Sequence, residues 1–225
     1  MPRGLCWFRQ SCAYDAFITP IYNIWAESRE RWAEVFDTLN ADYLGALAEN
    51  FSRYEATEGG LEKCRWILQR HLVHDWPSEF TMYEETCLYS LLSKLLTLSS
   101  VVASSFLFCE AGHAHNQNVA PSNSCLFNIS SLDNYHTVQE FVHKLETEAS
   151  SVCHDCGVRH IRKSTFVHLL PLLAFDVSHH TEILIDQRLV VTSSDEVTAR
   201  YRLRGVIYFA HHHFTSQFVS PHGIV

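Results

Sequence analysis

Apolar residues recur at the spacing of an α-helix through the first part of the chain. One stripe is formed by Phe17, Ile21, Ile24 and Trp25, and a second by Leu61, Cys64, Leu68, His71 and Leu72. The range 83–98 has leucines on more than one side, which predicts a central, buried helix. Pro20 lies inside the first stripe and predicts a kink, because proline has no backbone N–H to donate.

The pattern changes after Ser99. The range 101–109 predicts a β-strand, and 114–124 is rich in Asn, Ser and Pro, which predicts a loop. Helical spacing returns at 136–148. Four later segments predict strands, namely 166–177, 182–192, 201–210 and 214–220. Helices that precede strands indicate an α+β fold.

Composition limits the size of the core and the kind of partner. A chain of 225 residues with 47% hydrophobic content can bury one core, with or without a small added module. The net charge of −8 and the pI near 6.0 argue against nucleic acid as the main partner and favour a basic polypeptide. No apolar run approaches the ~18–20 residues of a membrane span, so no membrane partner is expected.

The start of the chain lacks the charged-then-apolar order of a secretory signal. We therefore expect an intracellular protein, cytoplasmic and/or nuclear, whose eight cysteines are reduced. Reduced cysteines in such a setting act as metal ligands or as nucleophiles.

One candidate nucleophile is Cys12, at the predicted start of the first helix. Ser11 before it is a typical N-cap residue, which would make Cys12 the first residue of the helix. The N–H groups and the dipole at that end stabilise negative charge. Beside an imidazolium, the pKa of a thiol can fall from ~8.5 to roughly 3–4. The alternative interpretation is a small buried residue on an amphipathic helix.

A candidate general base is His213, which follows an alternating segment and begins the last predicted strand. Papain-like thiol hydrolases take the nucleophile and the base from distant parts of the chain in this way. His211 and His212 precede it. The alternative interpretation of three adjacent histidines is a solvated loop or an adventitious metal site.

Cysteine spacing also predicts a metal site. Cys153 and Cys156 form a Cys-x-x-Cys-Gly knuckle, and Cys109 with His113 forms a second one upstream. Four such ligands suit a tetrahedral structural zinc ion. His115 and Cys125 are alternative fourth ligands. The alternative interpretation is a set of buried thiols that bind no metal.

The segment that leads to Cys12 resembles the cysteine box of the ubiquitin-specific proteases, Gly-Leu-x-Asn-Leu-Gly-Asn-Thr-Cys-Tyr. Gly4 and Leu5 stand at the matching distances before Cys12, Ser11 takes the place of the Thr, and Gln10 that of the Asn beside it.

Two later segments resemble the same family. Tyr201-x-Leu203-x-Gly205 followed by His213-Phe-Thr-Ser is similar to its histidine box, and the two knuckles are similar to the zinc ribbon of its fingers.

The resemblance implies an α+β, papain-like fold: a helical thumb (about 1–100), a zinc-ribbon finger (about 101–165) and an antiparallel β palm (about 166–225). It implies hydrolysis of isopeptide or peptide bonds after the C-terminus of ubiquitin or a ubiquitin-like protein. Cys12 would attack, His213 would transfer the proton, and Gln10 with the Cys12 N–H would bind the oxyanion. Cys109, His113, Cys153 and Cys156 would hold structural zinc.

Two departures from the family pattern favour a different function. Trp7 stands where the family has its oxyanion-hole asparagine, and no Asp or Asn follows His213 to orient the imidazole. Either that third group lies beyond Val225, as we expect, or another residue orients His213. The competing hypothesis is a catalytically inactive domain of this type that binds ubiquitin or serves as a scaffold. A third hypothesis is a zinc-ribbon interaction module with a coincidental cysteine.

Overall fold

The computed structural model describes residues 5, 8–113, 117–129, 135–179, 182–220 and 223–224, excepting the side chains of 117, 118, 223 and 224. The chain divides into two compact units, residues 1–96 with 204–225, and residues 97–203. Among the described helices, none combines the length and apolar character needed to cross a membrane. The predicted division at about 100 and 165 stays a prediction.

The first unit contains most of the helices together with the last strands of the chain, and the second unit contains the earlier strands and one helix. The helices are α1 (Cys12–Glu27), α2 (Arg29–Asn40), a π-helical turn (Ala41–Gly45), α3 (Ala46–Tyr54), α4 (Gly60–Asp75), α5 (Leu88–Leu95) and α6 (Val138–Lys144). The strands are β1 (Ala103–Phe108), β2 (Gln117–Ser122), β3 (Leu126–Asn128), β4 (Glu146–Val152), β5 (Arg159–Phe166), β6 (Ala174–Asp176), β7 (Arg188–Thr192), β8 (Thr198–Arg202), β9 (Gly205–Ala210), β10 (His213–Ser220) and β11 (Gly223–Ile224).

Helix α1 is the core of the first unit. From residue 13 to residue 25 every side chain except Asp15 and Thr19 is buried, so the helix is covered on all sides. It packs against α2, α3, α4 and α5 and also against β9 and β10. The helix is continuous through Pro20, which is itself buried.

The β9–β10 hairpin approaches α1 closely at one glycine. Gly205 pairs with Phe218 across the hairpin, and a Cβ atom on Gly205 would lie 2.9 Å from Cβ of Pro20. Because real Cβ atoms do not come this close, the position requires glycine. The contact also identifies the face of the hairpin that α1 covers, since Cβ atoms of directly paired residues point to the same side.

A second contact sets the direction of α1 relative to β10. The guanidinium of Arg204 pairs with the carboxylate of Glu27, the last residue of α1. Arg204 directly precedes Gly205, and its carbonyl oxygen accepts a hydrogen bond from the N–H of Val219, which directly follows Phe218 on β10. The helix and the strand therefore advance in the same sense. Their first residues, Cys12 and His213, consequently lie at the same end.

The second unit has a four-stranded antiparallel sheet in the order β2-β1-β5-β4. It also contains the parallel pair β3–β6 and the antiparallel pair β7–β8, with α6 against β7. Strands β1 and β4 both run antiparallel to the strand between them. The ends of β1 and β4 therefore meet the beginning of β5 at one edge of the sheet.

Three boundaries differ from the sequence prediction for local reasons. The helix expected at 83–98 is confined to Leu88–Leu95, and Tyr83 has a left-handed backbone with φ 66°. The loop expected at 114–124 contains strand β2, an edge strand, where Pro121 costs no ladder bond inside the sheet. The helix expected at 136–148 ends at Lys144, because Leu145 is left-handed and β4 then pairs with β5.

The later strands are shorter than predicted. The segment 166–177 keeps only the end of β5 and the short β6, and 182–192 keeps only β7. The segment 201–210 is divided between β8 and β9, which belong to different units. The last predicted strand, 214–220, agrees with β10 to within one residue.

Candidate active site and metal centre

Cys12 is half-buried and is the first residue of α1, as the sequence predicted. Ser11 is the N-cap residue, as predicted, but its hydroxyl makes no capping bond to the first turn. The hydroxyl instead donates to Asp15 Oδ2 at 2.6 Å and accepts from the Phe8 N–H at 3.1 Å. The segment that precedes Cys12 is thereby folded back onto α1.

Arg65 on α4 completes this arrangement. Its Nη1 lies 2.5 Å from Asp15 Oδ1 and 3.1 Å from Ser11 Oγ, and its side chain is only 6% exposed. Burial raises the pKa of the Asp15 carboxyl, while its bonds to Ser11 and Arg65 act in the opposite direction. Neither charged residue was predicted from the sequence. The available signal was an arginine between Leu61 and Leu68, inside a largely apolar stripe.

Exposed residues lie just before the nucleophile. Phe8 and Tyr83 meet edge to face at 6.1 Å, and the guanidinium of Arg9 lies 5.3 Å and 5.0 Å from their ring centroids. Gln10 is exposed on the same segment. Its role as an oxyanion donor stays a prediction. Trp7 lies outside the described residues.

His213 lies at the tip of the β9–β10 hairpin, opposite Ala210, and its side chain is exposed. The turn before it consists of His211 and His212, whose φ angles are 52° and 65°. Two consecutive residues with positive φ form the kind of turn that closes a two-residue hairpin. The candidate base, His213, is therefore the first residue of β10 after this turn.

The register of the hairpin decides which way His213 points. Phe218 shares the face of Gly205, which α1 covers. His213 lies five residues before Phe218 on a strand with no register shift, so alternation places its side chain on the opposite face. The structure therefore brings Cys12 and His213 to the same end of neighbouring elements and turns the imidazole outward. Their direct contact stays a prediction.

Four predicted metal ligands meet at one edge of the four-stranded sheet. Cys109 directly follows β1, Cys153 directly follows β4, and Cys156 lies in the turn that leads to β5. The ligand atoms of these three residues and His113 all lie within 4.8 Å of one another. This group could hold a metal ion.

The distances within the group are short. Cys109 Sγ lies 3.5 Å from Cys156 Sγ and 3.6 Å from His113 Nδ1, and Cys153 Sγ lies 3.4 Å from the same nitrogen. Burial raises the pKa of the Cys153 thiol, but the N–H groups of Cys156 and Asp155 and the neighbouring thiols outweigh it and lower the pKa to about 6. A thiol held in this way readily becomes a thiolate ligand.

Two glycines shape the turns that carry the ligands. Gly112 and Gly157 have φ angles of 79° and 70°, a conformation that glycine adopts without steric cost. Their N–H groups donate to the carbonyl oxygens of Cys109 and Cys153, respectively. Each turn therefore folds back on the cysteine that begins it.

The structure excludes one of the two alternative fourth ligands from the group and does not describe the other. Cys125 is not a member of the metal-ligand group, and burial raises the pKa of its thiol to about 12, so it stays protonated. His115 lies outside the described residues. His113 is the fourth member that the structure shows.

No protein-family model and no curated protein matches the chain. Several solved structures do match the chain. The SAGA DUB module Ubp8/Sgf11/Sus1/Sgf73 bound to monoubiquitin is 11% identical with a TM-score of 0.56, over 98% of this chain and 62% of that chain. The same module bound to ubiquitin aldehyde is 10% identical with a TM-score of 0.56, over the same shares. A yeast SAGA DUB module with mutant Sgf73 is 12% identical with a TM-score of 0.50, over 98% and 61%.

These comparisons establish the fold. The chain has the α+β fold of the Ubp8 domain, which confirms the divergent resemblance to ubiquitin-specific proteases at the level of the fold. The four-residue group is consistent with the zinc-ribbon finger expected of that fold. The chain spans about three fifths of the length of the chains it matches, 62% of the first.

Proposed function

We propose that this domain is an intracellular, thiol-dependent deubiquitinase that acts on ubiquitin or a ubiquitin-like protein. One observation supports it most: a half-buried cysteine begins the core helix of a fold shared with Ubp8, and a histidine begins the strand that runs beside that helix. The solved complexes contain ubiquitin, which supports ubiquitin as the partner.

The proposed reaction is acyl transfer in two steps. His213 accepts the proton of the Cys12 thiol, and Sγ attacks the carbonyl carbon at the C-terminus of ubiquitin. The carbon–nitrogen bond breaks, the amine leaves with the proton from His213, and a thioester remains on Cys12. Water, deprotonated by His213, then hydrolyses the thioester. The N–H of Cys12 and the Gln10 amide stabilise the oxyanion in both steps.

We propose zinc as the structural metal of the Cys109 group. Tetrahedral zinc with bonds of about 2.3 Å to sulfur and 2.0–2.1 Å to nitrogen requires ligand separations of about 3.8 Å between sulfurs and about 3.6 Å between sulfur and nitrogen. The separations of 3.5 Å, 3.6 Å and 3.4 Å fit this geometry. Four protein ligands leave no position for substrate, so the ion would stabilise the fold.

The catalytic proposal is tested with ubiquitin that carries an electrophilic C-terminus. We expect a covalent adduct of one ubiquitin per chain, detected by intact mass, and no adduct with Cys12→Ala. His213→Ala is expected to slow adduct formation at least 10²-fold, and His212→Ala less than threefold. An adduct that persists in Cys12→Ala contradicts the proposal.

A second function is favoured by the register that turns His213 away from α1. In this alternative, the domain binds ubiquitin without cleaving it. The same experiment separates the two functions: binding of ubiquitin by the wild-type chain, with no adduct over many hours, supports the non-catalytic binder.

The metal proposal is tested by elemental analysis of purified protein. We expect one zinc per chain, at least tenfold less in Cys153→Ser, and no loss in Cys87→Ser, which removes an exposed cysteine outside the group. His113→Ala and His115→Ala identify the fourth ligand. Loss of zinc in His115→Ala alone rules out His113.

A further inference from the structure

A buried arginine lies beside the candidate nucleophile, outside the two segments, around Cys12 and around His213, from which the site was predicted. Arg65 is 6% exposed in its side chain, on a face of α4 whose other buried residues are uncharged. Arginine is rarely buried to this extent. An apolar residue of the same length would fill the space without the cost of removing a charge from water. Packing alone therefore does not explain this residue.

The partners of Arg65 lie on both sides of Cys12. Its Nη1 reaches Ser11 Oγ, one residue before the cysteine, and Asp15 Oδ1, three residues after it. Ser11 Oγ in turn donates to Asp15 Oδ2 and accepts from the backbone of Phe8. One guanidinium nitrogen thus joins the approach segment, the N-cap and the first turn of α1.

The same bonds change what the N-cap hydroxyl does. A serine at this position ordinarily accepts from an N–H of the first helical turn. Here the hydroxyl is held by Arg65 and Asp15 and makes no capping bond. The N–H groups beside Cys12 are therefore not covered by Ser11. The proposed reaction assigns the oxyanion to donors at this place.

We propose that Arg65 is a positioning residue for the nucleophile: by binding Ser11 Oγ and Asp15 Oδ1, it fixes the chain on both sides of Cys12 and keeps the N-cap hydroxyl away from the first-turn N–H donors. The inference rests on the proposed function of Cys12. Arg65 acts through Ser11 and Asp15 and does not itself contact substrate.

The test measures adduct formation with electrophilic ubiquitin as a function of probe concentration. Arg65→Met is expected to lower the maximal rate at least tenfold, with less than a twofold change in the half-saturating concentration. Arg65→Lys keeps a cation with donors for both acceptors and is expected to retain at least a third of the rate. Arg70→Met removes an exposed arginine of the same helix and is expected to change neither value.

A second pair of variants serves if Arg65→Met does not fold. Ser11→Ala removes the bridging hydroxyl, and Ser11→Thr keeps it. We expect at least a tenfold lower maximal rate for the alanine variant and a rate within threefold of wild type for the threonine variant. Equal rates for these two variants, or a wild-type rate in a folded Arg65→Met protein, would overturn the proposal.

Hydrogen exchange separates failure of this inference from failure of the proposed function. If the wild-type chain forms no adduct, the deubiquitinase proposal fails. Positioning is then assessed from the amides of residues 8–15. Arg65→Met is expected to speed their exchange at least tenfold, with α4 unchanged, and Arg65→Lys to restore it. Unchanged exchange in residues 8–15 overturns the positioning role, whatever the activity.

Discussion

A side chain at position 205 would not fit, because α1 lies directly against Gly205. A Cβ atom there would lie 2.9 Å from Cβ of Pro20, and the two residues belong to a strand and a helix, respectively. Proline inside a helix and glycine inside a strand are each unfavourable alone. Together they allow the helix and the hairpin to approach closely, and the Arg204–Glu27 pair fixes the direction in which the two run.

Gly205→Ala is therefore expected to lower the free energy of unfolding by about 1–3 kcal/mol, the usual cost of overpacking. Chemical denaturation with an unchanged m-value is the measurement. Thr215→Ala, at an exposed position of the same hairpin, serves as the control and is expected to stay within about 0.5 kcal/mol. A neutral Gly205→Ala change would contradict the close approach.

The two histidines of the β9–β10 turn adopt a conformation that suits glycine better. His212 has φ 65°, and the second position of such a turn is most often glycine. His212→Gly is expected to raise the free energy of unfolding by about 1 kcal/mol, because it relieves left-handed strain. Thermal unfolding checks this expectation. A lower melting temperature would show that the imidazole makes a stabilising contact larger than the strain.

At the scale of elements, the clustering of the candidate metal ligands was predictable and the orientation of His213 was not. Cysteine spacing identified both knuckles, since each lies in one short turn. The orientation of His213 depends on the pairing of Gly205 with Phe218, which no local pattern specifies. The bond between Ser11 Oγ and Arg65 was not predictable for the same reason, because the two residues are distant in sequence.

Helix ends were also beyond local patterns. Apolar spacing continues past Lys144, yet Leu145 turns the chain and the next residues pair with β5. Tertiary pairing outweighs helical propensity here. Strand β2 was missed because its Asn and Pro residues are typical of loops, although an edge strand tolerates them.

The knuckle turns give a prediction at the scale of elements. Gly112→Ala and Gly157→Ala place a side chain on a left-handed backbone that has open space around it. The cost is therefore purely conformational, about 1–2 kcal/mol. We expect zinc affinity to fall about fivefold to thirtyfold in competition with a chromogenic chelator. Glu110→Ala, at an exposed position of the first knuckle, is the control.

At the scale of the whole molecule, the two units carry different chemistry. All four candidate metal ligands lie within 97–203, whereas Cys12, Arg65 and His213 belong to the other unit. Structural zinc contributes roughly 10–16 kcal/mol to the folding of isolated finger peptides. The ion is therefore expected to matter most for the edge of the sheet where β1, β4 and β5 meet.

Removal of the metal by a chelator is expected to speed amide exchange at the ends of β1 and β4 and the beginning of β5 at least tenfold. Amides of α1 and α4 are expected to keep their protection. Exchange followed by mass spectrometry measures both regions in one sample. Protection that is unchanged at the sheet edge would contradict a structural role for the metal.

The central claim is that this fold joins the Cys12 thiol and the His213 imidazole into one reactive pair. The most direct measurement is an experimental structure of the chain in covalent complex with electrophilic ubiquitin. We predict a bond from Cys12 Sγ to the ubiquitin C-terminus, with a ring nitrogen of His213 within about 4 Å of that sulfur. A complex in which His213 still points away from α1 would contradict the claim.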